Sequence, residues 1–252
     1  MIKLYGVPMS RAFRSLWALE EIGVEYEHVP VNFLTDAKKP EYLKINPNGR
    51  IPALVDGGLT LFESMAINLY LAKKYDGGLQ PKSLEDEARA VQWSFWAMTE
   101  LEPHLLKMLL NRVLLPEDQR DASEAEAGAA ALQAPLRVLD RALADRSFLL
   151  GESFSIADLN VASVLSWAKF VGLDLSSHAR AKTWFEACLG RPAAARARQP
   201  KSGSQGPIPT PGWAPAPPFT RPLPPARAPI WPAARRTWRS PHRTSASRSP
   251  GS

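Results

Sequence analysis

Ser10 lies where a short strand-like run, Ile2 to Tyr5, gives way through a turn to a helical stripe of Phe13, Leu16, Trp17 and Leu19 that stops at Gly23. A serine in that place has two uses. It can cap the helix by accepting from a first-turn N–H, or it can offer its hydroxyl to an anion drawn to the positive helix end. Tyr5, at the end of the strand, is a competing hydroxyl, although a tyrosine there serves packing equally well. Arg11 and Arg14 follow in the first helical turn. A cation there opposes the helix dipole unless an anion is near, so the pair reads either as anion-binding or as a solvated face. A second strand-to-helix junction carries Glu63-Ser64. First-turn N–H groups bind carboxylates well, and capping alone accounts for Ser64 but not for the acid before it.

Composition narrows the partners. The chain has 252 residues, 45% of them hydrophobic, enough for one large core or two smaller ones. A formal charge of +6 suggests an anionic macromolecule, but eight Lys and Arg and no Asp or Glu lie beyond Gln199, which leaves the rest near −2. No nucleic-acid partner is expected for the body. One cysteine, Cys188, excludes an internal disulfide and any zinc site built on several thiolates. Far down the helical part it reads as buried and inert, and the cytoplasm suits such a chain. The start, MIKLYG, is strand-like and lacks the apolar core of a secretory signal. The longest apolar run carries Lys169 and is too short to span a bilayer, so a soluble protein without a membrane partner is expected.

The elements that must hold these residues fall into three stretches. In residues 1–77, "VEYEHVPVNF" reads as a strand beside the first after a crossover helix. Asn46-Pro47-Asn48-Gly49 is a turn, "IPALV" a strand, Asp56-Gly57-Gly58 a hairpin, "LTLF" its return, and "SMAINLYLAKKY" a helix. The order βαβ then ββα makes a complete α/β unit. After the linker "DGGLQPKS", residues 84–198 read as helical throughout: a long segment with Val91, Trp93, Phe95, Trp96 and Met98, an alanine-rich segment from Ser123 to Ala144, one opened by Ser155-Ile156-Ala157-Asp158, and two shorter ones. That last string suits a capping box with Asp in place of the usual Glu, a folding device. Residues 199–252, roughly a quarter proline, lack the apolar density for a core and read as a disordered basic tail.

This α/β module followed by a helical domain resembles the cytosolic glutathione S-transferases over residues 1 to 198. The likeness is carried by "LYGVPMSRAFR", "NPNGRIPALVDGG", "LTLFES", "SIADLNVASV" and "WFEACLGRPAAARA" in that order, and is closest to the serine-type bacterial and phi-like members. It implies a thioredoxin-like βαβββα domain that binds glutathione, an all-helical domain that adds the electrophile site, glutathione as co-substrate with no prosthetic group or metal, a role in detoxification, and a homodimer. Ser10 matches the catalytic serine. Ile51 matches the residue whose backbone meets the cysteinyl part of glutathione, and Pro52 the cis-proline after it. Arg50 stands where phi-like members commonly carry glutamine. Glu63 and Ser64 match the pair that holds the γ-glutamyl end, Lys38 or Lys39 the basic residue near the glycine carboxylate, and Arg11 a helper at the carboxylates or the thiolate.

The implied chemistry is the ionisation of a thiol and its transfer to a small apolar electrophile. A free thiol of pKa about 8.5 is about 3% ionised at pH 7, and lowering it by roughly two units takes about 2.7 kcal/mol. A hydroxyl donor to an anion contributes about 1.5–3 kcal/mol and a helix N-terminus about 0.3–1. Ser10 is placed to combine both. The same fold also serves glutathione-dependent isomerases and non-catalytic binding or assembly modules, the alternative readings. Met9, Phe33, Trp96, Met108, Trp167 and Phe170 are apolar candidates for the acceptor side that core packing explains as well.

Overall fold

The computed structural model describes residues 1–75 and 77–199. Its first half is a four-stranded sheet of β1 (Ile2–Tyr5), β2 (Tyr26–Val29), β3 (Ala53–Asp56) and β4 (Leu59–Phe62) in the order β2-β1-β3-β4. Strand β1 runs parallel to β2 through the crossover helix α1 (Ala12–Ile22), and antiparallel to β3, as β3 does to β4. Leu4 faces Leu54 across the β1–β3 pair, and both are fully buried with Leu16, Trp17 and Leu19 of α1. Gly23 ends α1 in the left-handed region, φ 74°, and donates to the Leu19 carbonyl at 3.0 Å. Gly6 makes the turn from β1 possible: at φ 141° a Cβ there would stand 2.6 Å from Ala12 Cβ.

The second strand is shorter than its sequence pattern because Pro30 cannot donate to a ladder. Beyond it come a 3-10 turn, Asp36–Lys38, and a short helix α2 (Pro40–Leu43), neither of which the apolar spacing signals. The Asp56-Gly57-Gly58 hairpin and the helix α3 (Ser64–Lys74) fall where the sequence places them.

The helical half opens with α4 (Leu84–Trp96), capped by Ser83, whose hydroxyl accepts from Asp86 N–H at 3.1 Å. It passes through a π turn, Ala97–Leu101, into α5 (Glu102–Leu109). Pro103 has no N–H to return to the preceding turn, and the ladder loosens just before it. The alanine-rich segment divides into α6 (Ala122–Ala131) and α7 (Gln133–Ala142) for the same reason, since Pro135 offers no donor to the Ala131 carbonyl. The capping box of α8 (Ile156–Leu165) is present as expected, and every residue of that helix is buried. Three helices close the described chain: α9 (Ala168–Val171), α10 (Ala179–Leu189) and α11 (Pro192–Arg196).

One hydrophobic cluster runs from Leu4 and Leu54 of the sheet through Trp17 of α1 to Leu101, Leu159 and Trp184 of the helical half. Polar ties reinforce it. Arg191 donates to both Glu21 oxygens at 2.7 and 2.9 Å, and Arg196 to Glu20 at 2.9 Å, which fasten α11 and the residue before it to α1. Asn68 on α3 donates to Asn160 Oδ1 at 2.8 Å, and Asn160 to Ser94 Oγ at 2.8 Å. Cys188 is fully buried, and burial first of all pushes its thiol far above the usual value. No helix among the described residues is long and apolar enough to cross a membrane. The segment 199–252 read as disordered lies, apart from Gln199, outside the described residues.

Candidate active site

Ser10 sits half-buried in the turn that delivers the chain from β1 to α1. Its Oγ donates to the Val7 carbonyl at 2.7 Å and accepts from Ala12 N–H at 3.0 Å. The capping role is therefore real, and it also prepares the other role: a hydroxyl fixed by an accepted bond can still rotate its O–H. Turning that O–H from Val7 to a thiolate exchanges a neutral bond worth about 0.5–1.5 kcal/mol for a charge-assisted one worth about 1.5–3. The net gain is about 1 kcal/mol or somewhat more, less than the sequence-based sum. The first-turn N–H groups are also partly spent, Phe13 N–H on Ser10 O at 3.1 Å and Arg14 N–H on Arg11 O at 3.3 Å. A further source of positive potential is needed to reach about 2.7 kcal/mol.

That source is adjacent. Arg11 donates through Nε to Glu102 Oε1 at 2.6 Å, and Arg14 meets Glu102 Oε2 through Nη2 at 2.6 Å. Both guanidiniums lie over the Trp167 ring, 5.3 and 5.4 Å from its centroid. Two cations share one carboxylate, so the cluster carries a net charge of +1. Neither arginine is a solvated face: the Arg14 side chain is 1% exposed, and Arg11 is 40% exposed in the ion pair. Burial pushes the Glu102 carboxyl up, and Arg14 and Arg11 outweigh it, so the acid ends below its ordinary value of 4.5.

Stability should track that shift. A carboxyl whose folded pKa is depressed contributes fully above its unfolded value and loses that contribution as pH falls through the folded one. The melting temperature is expected to drop between about pH 5 and about pH 3, and Glu102→Gln is expected to flatten that part of the profile. Calorimetric scans of both proteins across that range check it, and parallel profiles contradict it.

Tyr5 packs edge-on against Tyr42, with ring centroids 6.1 Å apart, in a small cluster with Val31, Ala37, Ile51 and Ala53. The Ile51-Pro52 peptide is cis, and both residues are buried. The loop before it is held through the Arg50 carbonyl, which accepts from Tyr42 OH and Asn46 Nδ2, each at 2.7 Å, while the Arg50 side chain is exposed. Lys38 Nζ donates to the Gly49 carbonyl at 2.6 Å, behind the same loop, and Lys39 pairs with Asp36 at 2.7 Å on the surface. The two lysines thus differ: Lys38 braces the loop and Lys39 does not.

Glu63 is the one non-glycine residue with positive φ among the described residues, φ 72° and ψ 113°, and it is exposed. Such a backbone costs of order 1–3 kcal/mol and persists only where its surroundings enforce it. It presents the Glu63 side chain beside the start of α3, while Ser64, 4% exposed, accepts from Arg14 Nη1 at 3.3 Å through its hydroxyl. Of the apolar candidates, Met9 and Phe170 are 65% and 44% exposed, Met108 is fully buried, and Phe33, Trp96 and Trp167 are half-buried. Met108 is core. Glu102 and the stacking role of Trp167 are not singled out by sequence reasoning; Glu100 and Glu102 both stand in this turn, and their spacing does not separate the exposed acid from the buried one.

A thioredoxin-like sheet module with a serine at the turn into its first helix, followed by an all-helical half, defines the class. Family models described as "Glutathione S-transferase, N-terminal domain" and "Glutathione S-transferase, C-terminal domain" match residues 1–73 and 101–192. The chain is 38% identical to Glutathione S-transferase 3 of Zea mays over 205 residues, covering 76% of this chain and 90% of that one. It is 34% identical to Glutathione S-transferase F13 of Arabidopsis thaliana, over 76% and 92%. Among solved structures it is similar to the theta class glutathione S-transferase of the citrus canker pathogen Xanthomonas axonopodis pv. citri with glutathione bound: TM-score 0.73, 28% identity, 79% and 97% coverage. A glutathione S-transferase-I bound with lactoylglutathione gives TM-score 0.72 at 33% identity, over 78% and 98%. The chain belongs to the glutathione S-transferase family.

Proposed function

We propose that this glutathione S-transferase binds glutathione at the sheet module, ionises its sulfur beside Ser10, and transfers that sulfur to a small apolar electrophile. The observation that supports it most is the setting of Ser10: its Oγ is pinned by Ala12 N–H, its O–H can turn, and a cluster of net charge +1 begins at the next residue. The thiol proton leaves to solvent, and the thiolate attacks the acceptor held next to it. It either displaces a leaving group such as halide, which departs as the anion, or adds to an activated double bond, whose carbanion takes a proton from solvent. Holding the two together removes the entropy of bringing two solutes together.

In this reading Glu63 and Ser64 take the γ-glutamyl ammonium and carboxylate, and the Ile51 backbone beside Pro52 takes the cysteinyl amide. Lys38 or Lys39 lies toward the glycine carboxylate, with Arg50 at the rim. Residues 1–77 form the glutathione domain and 84–198 the helical domain. Exposed Leu59 and Phe62 on β4 and Val91 and Phe95 on α4 give each half an apolar surface for a homodimer. A free, buried thiol suits a cytoplasmic location. Retention on immobilised glutathione, then a conjugation assay with an activated aryl halide, tests the function. Retention with turnover is expected; retention without turnover supports the non-catalytic binding module instead.

A further inference from the structure

Glu102 joins the two halves of the molecule at the site. It is 5% exposed and Arg14 1%. One oxygen takes Arg11 Nε and Nη2 at 2.6 and 2.5 Å, the other takes Arg14 Nη2 at 2.6 Å, and Arg14 Nη1 continues to Ser64 Oγ and Met98 Sδ, each at 3.3 Å. Among the described residues Arg14 forms no other ion pair, so without Glu102 a buried guanidinium would lose the carboxylate that touches it. The π turn directly before Glu102 and the missing N–H of Pro103 set the backbone that carries this acid inward.

We propose that Glu102 is a positioning residue for the glutathione site, holding the Ser64 hydroxyl in its donating orientation through Arg14. The chemistry of the contact gives the direction. A guanidinium only donates, so in the Arg14–Ser64 contact the serine oxygen accepts, and its own O–H is left to point at a ligand anion. A carboxylate arriving at Ser64 then finds a hydroxyl already oriented and a fixed cation behind it. A simple staple between the two halves needs the Glu102–Arg14 pair but has no use for the second nitrogen on Ser64.

The inference rests on the reading of Ser64 as a γ-glutamyl contact, and a double-mutant cycle in the full chain separates the two. Ser64→Ala and Glu102→Gln are each expected to raise KM for glutathione about tenfold, and the double variant to be no worse than Ser64→Ala. An unchanged KM in Glu102→Gln, or a double variant whose KM is the product of the two effects, overturns the positioning role. An unchanged KM in Ser64→Ala removes the reading of Ser64 itself. Should Glu102→Gln fail to fold, Arg14→Lys takes its place in the same cycle. It keeps the charge, lacks the fork, and is subject to the same two outcomes.

Discussion

Ser10→Ala is expected to lower conjugation turnover at pH 7 by about five- to tenfold while glutathione affinity changes less than about threefold. In the proposed reading the net gain from turning the Ser10 O–H from Val7 to sulfur is about 1 kcal/mol or somewhat more, and a tenfold rate corresponds to about 1.4. In the proposed reading affinity is spared because the bulk of glutathione is assigned elsewhere, to Glu63, Ser64 and the loop before Pro52. Tyr5→Phe is the internal control. Its ring is committed to Tyr42, and its loss of a hydroxyl should leave turnover within about twofold. Steady-state kinetics of both variants decide between them: an active Ser10→Ala with an inactive Tyr5→Phe would move the donor to Tyr5.

Asp158→Ala is expected to cost at least about 3 kcal/mol of stability. The carboxylate is fully buried and accepts from four donors: Leu149 N–H at 2.8 Å, Ser155 N–H at 3.0 Å, Ser155 O–H at 2.8 Å and Trp184 Nε1–H at 2.9 Å. Alanine leaves the two backbone N–H groups and the indole without partners, each worth about 1–3 kcal/mol when stranded in the interior. Because α8 is buried along its whole length and packs on both α1 and α10, the loss is felt by the global transition and not by local fraying. Denaturant unfolding should show a lower midpoint with an unchanged slope. A shift equivalent to less than about 1 kcal/mol would show that the box is ornamental to the fold.

Much of this architecture is readable from local chemistry. The Gly23 stop, the Asp56-Gly57-Gly58 hairpin and the Ser155/Asp158 box are each set by residues within four positions of one another, and each is where the sequence puts it. Arg11 and Arg14 are visible in the sequence as cations needing an anion, but the anion lies far along the chain on α5. Nothing in periodicity links positions so distant. The splitting of the alanine-rich segment and the π turn at Ala97–Leu101 follow from Pro135 and Pro103, whose missing N–H groups act on the carbonyl a turn earlier. Lys38 and Lys39 are indistinguishable in sequence, and only the folded loop sets one against Gly49 and the other against Asp36.

Thiol ionisation in the binary complex is the most direct measurement, read as ultraviolet thiolate absorbance while pH is raised with glutathione bound to the parent chain and to Ser10→Ala. The parent should ionise the bound sulfur well below the value of about 8.5 for a free thiol, and Ser10→Ala should move it back by about one unit or more. Bound and free glutathione titrating together in the parent would contradict the role given to Ser10 and the charge cluster beside it.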